Sequence, residues 1–372
     1  MAKSVIVIGA GIMGLATAKA LAEKKWEVTV IERSTFAQGA SIRNFGMIWP
    51  IGQPSGKLYE RAMRTKAIWK EICHQMGYWF EEAGSLHLAQ TIEEAQVMQE
   101  LDTLFGVERP VNWLSRNQLQ ELSPAINAKN VIGGLWSRDE AIVESRKIIR
   151  DLPTYLSEQL GVKFYFDSIA SSIQSGGVII NNKLVQSDLI CICTGVDFQL
   201  LYPDIYQSDF ITTKLQMMRT VPQPDNWRIG PSLCGGLSLA HYKSFEEAPS
   251  LKSLKSQLAE KYPEYLKHGI HVMVSQNHLG ELTIGDSHHY GHAIEPFDQT
   301  QINILILEYL NQICAFKNLS IAQVWNGQYS KLIQSGDDYF RELEPGVWAL
   351  NGLGGAGMTL SFGTMEDFAS MI

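Results

Sequence analysis

Ser4-Val5-Ile6-Val7-Ile8-Gly9-Ala10-Gly11-Ile12-Met13-Gly14 decides the fold, and Val28-Thr29-Val30-Ile31-Glu32 completes the unit it begins. The β-branched apolar run Ser4–Ile8 predicts a strand buried on both faces, as in a parallel sheet. Glycines 9, 11 and 14 follow at once, and Leu15 to Lys24, rich in Ala, Leu and Lys, predicts a helix. Val28–Ile31 predicts a second strand, so that a βαβ unit closes within about thirty residues. Gly9 permits the tight turn out of the first strand, Gly11 removes the Cβ that would hold backbone away from a pyrophosphate, and Gly14 lets the helix pack closely on the strands. The helix N-terminus offers N–H groups and a positive dipole end to phosphate, and Ile12 and Met13, inside the glycine turn, are candidate cofactor-binding residues. Glu32, followed by Arg33, ends the second strand where a carboxylate receives a ribose diol, and an acid there disfavours the 2′-phosphate of NADP. The unit implies an adenine dinucleotide and does not separate FAD from NAD.

The rest of the composition sets limits. At 372 residues the chain is long enough for two domains. Apolar residues at 45% and charged residues at 19% are an ordinary globular balance. The net charge of −8, with both signs scattered, argues against nucleic acid as the main partner and leaves a small anionic substrate open. Cys73, Cys191, Cys193, Cys234 and Cys314 form no metal spacing. They read as small buried hydrophobes in a reducing compartment, so the expected location is cytoplasmic. The apolar start resembles a signal peptide only superficially, because its regularly spaced glycines belong to the dinucleotide turn. No stretch is long and apolar enough to predict a membrane span.

Outside the first unit the alternation changes. Gln38 to Gly46 is a polar, glycine-containing loop carrying Ser41, Arg43 and Asn44. Lys57 to Met76 predicts a helix with Tyr59, Met63, Ile68 and Ile72 facing a core, and Gly84 to Ala89 alternates like a strand. Strands are predicted at Val162–Phe166 and Leu189–Cys193, with Val178–Ile180 in a hairpin. Leu189–Cys193 runs into Thr194-Gly195, where glycine allows close approach of backbone. The leucines 251, 254 and 258 predict a helix stripe against a sheet. Val347–Gly352 predicts a last strand opening into Gly354-Gly355-Ala356-Gly357-Met358-Thr359, a second glycine-rich helix start.

These features together resemble the D-amino-acid oxidase superfamily of FAD-dependent oxidoreductases. The residues that carry the resemblance are the first fingerprint, Ala40-Ser41-Ile42-Arg43-Asn44, Cys193-Thr194-Gly195 and the terminal glycine run. The resemblance implies an α/β, overall α+β, chain: a Rossmann-like FAD-binding domain of the GR2 type with a second, mixed-sheet substrate-binding domain. The expected division is 1–80, 141–213 and 325–372 for FAD, and 81–140 and 214–324 for substrate. FAD would lie extended, its adenosine ribose on Glu32, its middle near Ser41, Arg43, Asn44, Thr194 and Gly195, and its ring edge at Gly354–Thr359. No cysteine sits in the terminal glycine loop, so FAD is expected to be non-covalent.

Within the superfamily the chain is similar to a bacterial branch associated with 2-aminoethylphosphonate catabolism. The matching stretches are Arg43-Asn44-Phe45-Gly46, Trp49 to Gln53, Gly84 to Ala89, His271 to Asn277 and Gly280 to His288. Family members acting on amino acids often carry an arginine shortly after a Trp-x-Gly strand, where it grips the substrate carboxylate. Trp325-Asn326-Gly327-Gln328-Tyr329 puts a phenol in that place, with Lys331 two residues on. A phenol and an ammonium bind an anion without the guanidinium fork. The expected substrate is therefore a small anionic amine such as an aminoethylphosphonate derivative, oxidised with electrons passing to oxygen or another acceptor. Tyr329, Lys331, Arg43 and His288 are the candidate catalytic and anion-binding residues, with Lys214 and His289 behind them, and no metal is expected. A general D-amino-acid, glycine or sarcosine oxidase is the competing enzyme reading. A flavin-binding sensor and an NAD-dependent dehydrogenase are the readings from other classes.

Overall fold

The computed structural model describes residues 2–372 except Val107, Ser175, Ser335 and Asp337. Its first sheet has the strand order Tyr339–Glu344, Val347–Asn351, Leu189–Ile192, Ser4–Ile8, Glu27–Ile31, Lys163–Tyr165. Every pairing in it is parallel except the one between Tyr339–Glu344 and Val347–Asn351. The central strand shows why an uninterrupted apolar run was needed. Val5 and Val7 enter one core with the helices, whereas Ile6 and Ile8 enter another on the opposite face. Successive side chains of a strand point to opposite faces, so a strand covered on both sides has no position for a polar residue.

Helix Ile12–Glu23 covers the first face together with Lys57–Met76, Ser145–Leu160 and the C-terminal Gly357–Met371. The opposite face carries Phe198, Tyr206 and Phe210, and a three-stranded antiparallel sheet of Ala170–Gln174, Gly177–Ile180 and Lys183–Gln186. The hairpin expected around Val178 is part of that sheet. All five cysteines are free and buried, and Cys191 and Cys193 lie in one core, as expected of alternate strand positions.

Helix Lys57–Met76 has the expected ends, and Gly77 closes it in the left-handed region at φ +67°. Its buried face differs from the expected one. Ile72 is buried, but Tyr59, Met63 and Ile68 are only half-buried, and the face is made by Leu58, Arg61, Ala62, Thr65, Trp69 and Cys73. Arg61 reaches that face because two acids meet it there. Its Nη1 lies 2.5 Å from Asp338 and its Nε 2.7 Å from Asp367 of the C-terminal helix. Arg61→Met is expected to lower unfolding stability by about 3 kcal/mol, the low end for breaking a buried pair. The low end applies because both acids keep some exposure and Asp367 retains Arg64 at 2.6 Å. The midpoint of denaturant unfolding measures this.

The second, larger sheet runs His289–Gly291, Phe210–Thr220, Leu282–Gly285, Met273–Gln276, Ser232–Cys234, Ser85–Ala89, Gly133–Ser137, Val111–Ser115. Ile321–Leu332 also pairs with Phe210–Thr220 along its whole length, from Phe210↔Leu332 to Thr220↔Ile321. Helices Ile92–Phe105, Leu251–Lys261 and Thr300–Ile313 pack on this sheet in one continuous core. Leu251, Leu254 and Leu258 are the buried stripe, as the sequence predicts. A Thr91–Glu94 capping box starts the first of these helices. Met218 points into this core while its neighbour Met217 faces a cavity between the two sheets. Among the described residues no helix is long and apolar enough to cross a membrane.

Candidate functional site

One cavity of about 790 Å³ runs from the first glycine turn to the large sheet. Its first end is built by the βαβ unit. Gly9 adopts φ +106°, and a Cβ there would lie 2.5 Å from the Cys193 carbonyl oxygen. Gly14 does not line the cavity; a Cβ on it would lie 1.9 Å from the Gly9 carbonyl oxygen, so its work is helix-to-turn packing. Gly11, Ile12 and Met13 do line it. A Cβ on Gly11 would meet only the Ser41 hydroxyl, at 3.3 Å, so the missing side chain leaves room on the cavity side.

The Glu32 carboxylate faces the same end. Its Oε2 accepts from the Ala10 N–H at 2.9 Å and its Oε1 from the Ser34 N–H at 3.0 Å. A carboxylate has about four acceptor sites, so these two bonds fix its direction and leave capacity for a diol. Arg33 lines the cavity but pairs with Asp197 at 2.6 Å.

The polar loop after the second strand supports the turn. Ser41 Oγ accepts from the Ile12 N–H at 2.9 Å, so one donor of the helix N-terminus is already used by the protein. Asn44 donates to the Ala40 and Ser41 carbonyls and accepts from the Gly46 N–H, which makes it the brace of the loop. Arg43 lines the cavity and donates to the Asn326 carbonyl at 3.2 Å.

Thr194 and Gly195 form the middle of the wall, with the Gly195 carbonyl held by the Asn351 side-chain amide at 2.9 Å. Gly354, Gly355, Ala356, Gly357, Met358 and Thr359 form the far side of it. Gly352 and Gly354 take φ of +90° and +55°, and Thr359 Oγ1 accepts from the Trp49 N–H at 2.9 Å, tying this loop to the large-sheet side. A Cβ on Gly355 would touch the Tyr329 ring at 3.5 Å, so glycine and phenol meet across the cavity.

Beyond Tyr329 the lining changes. Leu215, Met217, Met273 and Trp49 give an apolar wall, and His241, Tyr242, Lys243, His271, Asp286 and His288 close the end. Of the residues singled out in the sequence, Tyr329 and His288 are brought together, with ring centroids 6.3 Å apart. Lys331 stands just outside the lining with its ammonium 4.1 Å over the Tyr290 ring. Its charge is felt by His241 and His288, and burial, followed by the Lys243 ammonium, lowers the Lys331 pKa. Lys214 and His289 lie elsewhere. Lys214 is fixed by Asp298 at 2.8 Å and by the carbonyls of Glu295 and Phe297, and His289 hydrogen-bonds His268.

The residues that sequence reading did not single out for the site are His241, Tyr242, Lys243, His271 and Asp286. Burial holds the imidazoles of His241 and His271 well below the usual histidine range, and His288 is pushed down to about 4. Burial raises Asp286 and the phenols of Tyr242 and Tyr329. The end of the cavity therefore carries lysine charges beside groups that burial keeps neutral.

Comparison with known proteins gives a consistent picture. The family model described as "DAO: FAD dependent oxidoreductase" matches residues 4–371. A glycine oxidase of Geobacillus kaustophilus is 25% identical over 170 residues, covering 43% of this chain and 45% of that protein. A D-amino acid dehydrogenase of Helicobacter pylori is 26% identical over 258 residues, covering 54% of this chain and 62% of that protein. The matched region thus spans less than two thirds of either relative. Among solved structures, L-proline dehydrogenase from P. horikoshii superposes with a TM-score of 0.77 at 20% identity, covering 100% of this chain and 93% of that one. That likeness is one of fold.

Proposed function

Because the chain belongs to the DAO family of FAD-dependent oxidoreductases, we propose that it oxidises the C–N bond of a small anionic amine, an aminoethylphosphonate derivative in particular. Loss of a hydride from the carbon gives an imine, which water hydrolyses to an aldehyde or keto compound with release of ammonia or a small amine, and the electrons pass on to oxygen or another acceptor. The observation that carries the anionic substrate is Lys243 in the cavity lining beyond Tyr329, with the Lys331 ammonium just outside that lining over the Tyr290 ring.

The residues present fit the cofactor. Glu32 takes the ribose, the turn Gly9–Met13 with Ser41 and Arg43 takes the pyrophosphate, and Thr194, Gly195 and the loop Gly354–Thr359 take the ring. Gly11, where a Cβ would meet only the Ser41 hydroxyl at 3.3 Å, is the feature that makes the turn a phosphate cradle. We place the cofactor on 1–80, 141–213 and 325–372 and the substrate end on 81–140 with 214–324, joined there by Tyr329 and Lys331 from the strand Ile321–Leu332 of the larger sheet. FAD supplies the hydride acceptor and with it the redox chemistry. The chain's own residues position and desolvate. Leu215, Met217 and Met273 exclude water around the reacting carbon, Tyr329 lies against the glycine loop, and the lysines draw the anionic group to the far end. Tyr329 is kept neutral by burial, so it donates a hydrogen bond to the anion and adds no charge.

Anaerobic mixing of the purified yellow protein with a panel of amines tests this. Bleaching by 2-aminoethylphosphonate or its N-methyl or hydroxy derivatives is expected, with D-alanine, glycine and sarcosine at least tenfold less effective. The reverse order favours the general amino-acid oxidase reading, which the glycine oxidase and D-amino acid dehydrogenase relatives support. A spectrum that no amine bleaches sinks both. Acid precipitation is expected to leave all the flavin in the supernatant, because the proposed attachment is non-covalent.

A further inference from the structure

His241, His271 and His288 come from three separate segments and meet at the cavity end. Their ring centroids are 3.8, 4.7 and 5.0 Å apart, and their planes lie within 21 to 44° of each other. His288 Nδ1 faces the Gly269 carbonyl at 3.1 Å, which fixes the proton on that nitrogen and leaves Nε2 as the bare one. His271 Nε2 lies 3.1 Å from Asp286 Oδ1, and His288 Nε2 lies 3.9 Å from Asp286 Oδ2. His271 Nδ1 has no partner, although the residue is buried. His271, His288 and Asp286 are buried while His241 is exposed in the cavity lining, and burying two imidazoles and a carboxyl side by side is costly unless a ligand completes them.

We propose that His241, His271 and His288, backed by Asp286, are a receptor for a tetrahedral oxyanion that takes up a proton as the anion arrives. The proposal rests on the reading of this cavity end as the place of the substrate's anionic group, and it names what accepts the charge. A neutral imidazole offers one N–H; a protonated one offers two, and its charge attracts the anion. In the free protein the hydrogen bond from His288 to the Gly269 carbonyl favours that proton, and the larger effect of burial opposes it. Burial, the other histidines and Lys331 all act against it, as do His87 on His271 and His289 on His288. The surrounding Tyr242, Tyr290, Tyr329 and Asp286 are raised by burial, so they bring no compensating negative charge. An arriving dianion reverses the balance, because its attraction in a desolvated corner exceeds the repulsion from a single ammonium.

The ligand nitrogens also lie within 4.8 Å of one another, close enough to suggest a metal ion. The anion is favoured because Lys331 and Lys243 place positive charge at the same end, where it would repel a metal cation.

The sign of the pH dependence follows. Binding raises the pKa of the cluster from a free value of about 4 at His288, so one proton is taken up per anion at any pH between the free and bound values. Affinity falls by up to about tenfold per pH unit across that window and levels off above the bound pKa. Sulfate is the probe, because it stays a dianion throughout. Calorimetry of sulfate binding to the flavin-loaded protein at pH 6, in buffers of different ionisation enthalpy, is expected to show uptake of about one proton. His288→Gln and His271→Gln, kept only if they purify with the wild-type flavin spectrum, are expected to bind sulfate at least tenfold more weakly and without uptake. Binding without proton uptake, no binding at all, or a stoichiometric transition metal in the purified protein that His241→Gln removes would each overturn the proposal. Bleaching by an aminophosphonate alongside any of these results would leave the proposed function standing.

Discussion

Gly14→Ala is expected to yield a colourless, poorly folded protein, and Gly11→Ala a stable one that has lost its grip on FAD. The two glycines belong to one fingerprint but meet different surroundings. A methyl on Gly14 would stand 1.9 Å from the Gly9 carbonyl oxygen and 3.4 Å from a methyl of Val7. Neither neighbour is a flexible side-chain end, so helix Ile12–Glu23 must move off the central strand. Ala16, Leu15 and Leu21 of that helix are fully buried, and the helix also packs on Gly357–Met371, so the shift disturbs two interfaces. Overpacking of this kind costs about 3 kcal/mol or more, a large part of a total stability of roughly 5 to 15 kcal/mol. A methyl on Gly11 meets only the Ser41 hydroxyl at 3.3 Å, and the residue's φ of −68° suits any side chain. Its cost falls on the ligand, since the methyl occupies the space where a phosphate would approach the backbone. Loss of one charge-assisted hydrogen bond, about 2 to 3 kcal/mol, weakens FAD binding on the order of 100-fold. Thermal melting of the apoproteins and fluorescence titration with FAD separate the two outcomes. A yellow Gly14→Ala protein with an unchanged melt would contradict the assignment of that glycine to packing.

The same contrast explains what the sequence could show. The first unit is legible because each glycine's reason is local: a turn, a close approach or a helix contact within a few residues. The terminal loop is legible for the same reason, as Gly352 and Gly354 need the left-handed region where they stand. Helix Lys57–Met76 is legible in its ends and not in its face. Arg61 reads as a surface residue until Asp338 and Asp367, from distant parts of the chain, are brought to it. Asn44 was readable as part of a cofactor loop, but its hydrogen bonds show a brace for the loop backbone.

The cavity end was the least legible part. His241, His271, Asp286 and His288 have no motif spacing, and the pairing of Met273–Gln276 with Leu282–Gly285 is what brings His271 to Asp286. The sequence did carry a weak signal, since His271 and the Asp286–His288 stretch lie inside runs that support the resemblance. Nothing local, however, separates a histidine that lines a cavity from one that fills a core. His87 makes the point: it is wholly buried between Trp49 and Phe245 and does not line the cavity.

Removing both ammonium groups in a Lys243→Met, Lys331→Met double variant is expected to lower kcat/KM for 2-aminoethylphosphonate by about a thousandfold at pH 7. Two charge-assisted contacts at about 2 kcal/mol each give that figure. The rate of flavin bleaching at saturating substrate should stay within a few-fold, because the lysines lie at the anion and away from the bond that breaks. Each single variant should lose less than half of the free energy lost by the pair. With Lys243 gone, the Lys331 ammonium still attracts the anion. The loss should also depend on substrate charge. A phosphonate dianion has twice the charge of a carboxylate, so D-alanine should lose only about thirtyfold and an uncharged amine almost nothing. Equal losses for all three substrates would mean that the lysines shape the cavity without binding the anion. A collapse of the saturating rate with KM unchanged would place them at the reacting carbon instead, and would move the anionic group of the substrate to the Arg43 side of the cavity.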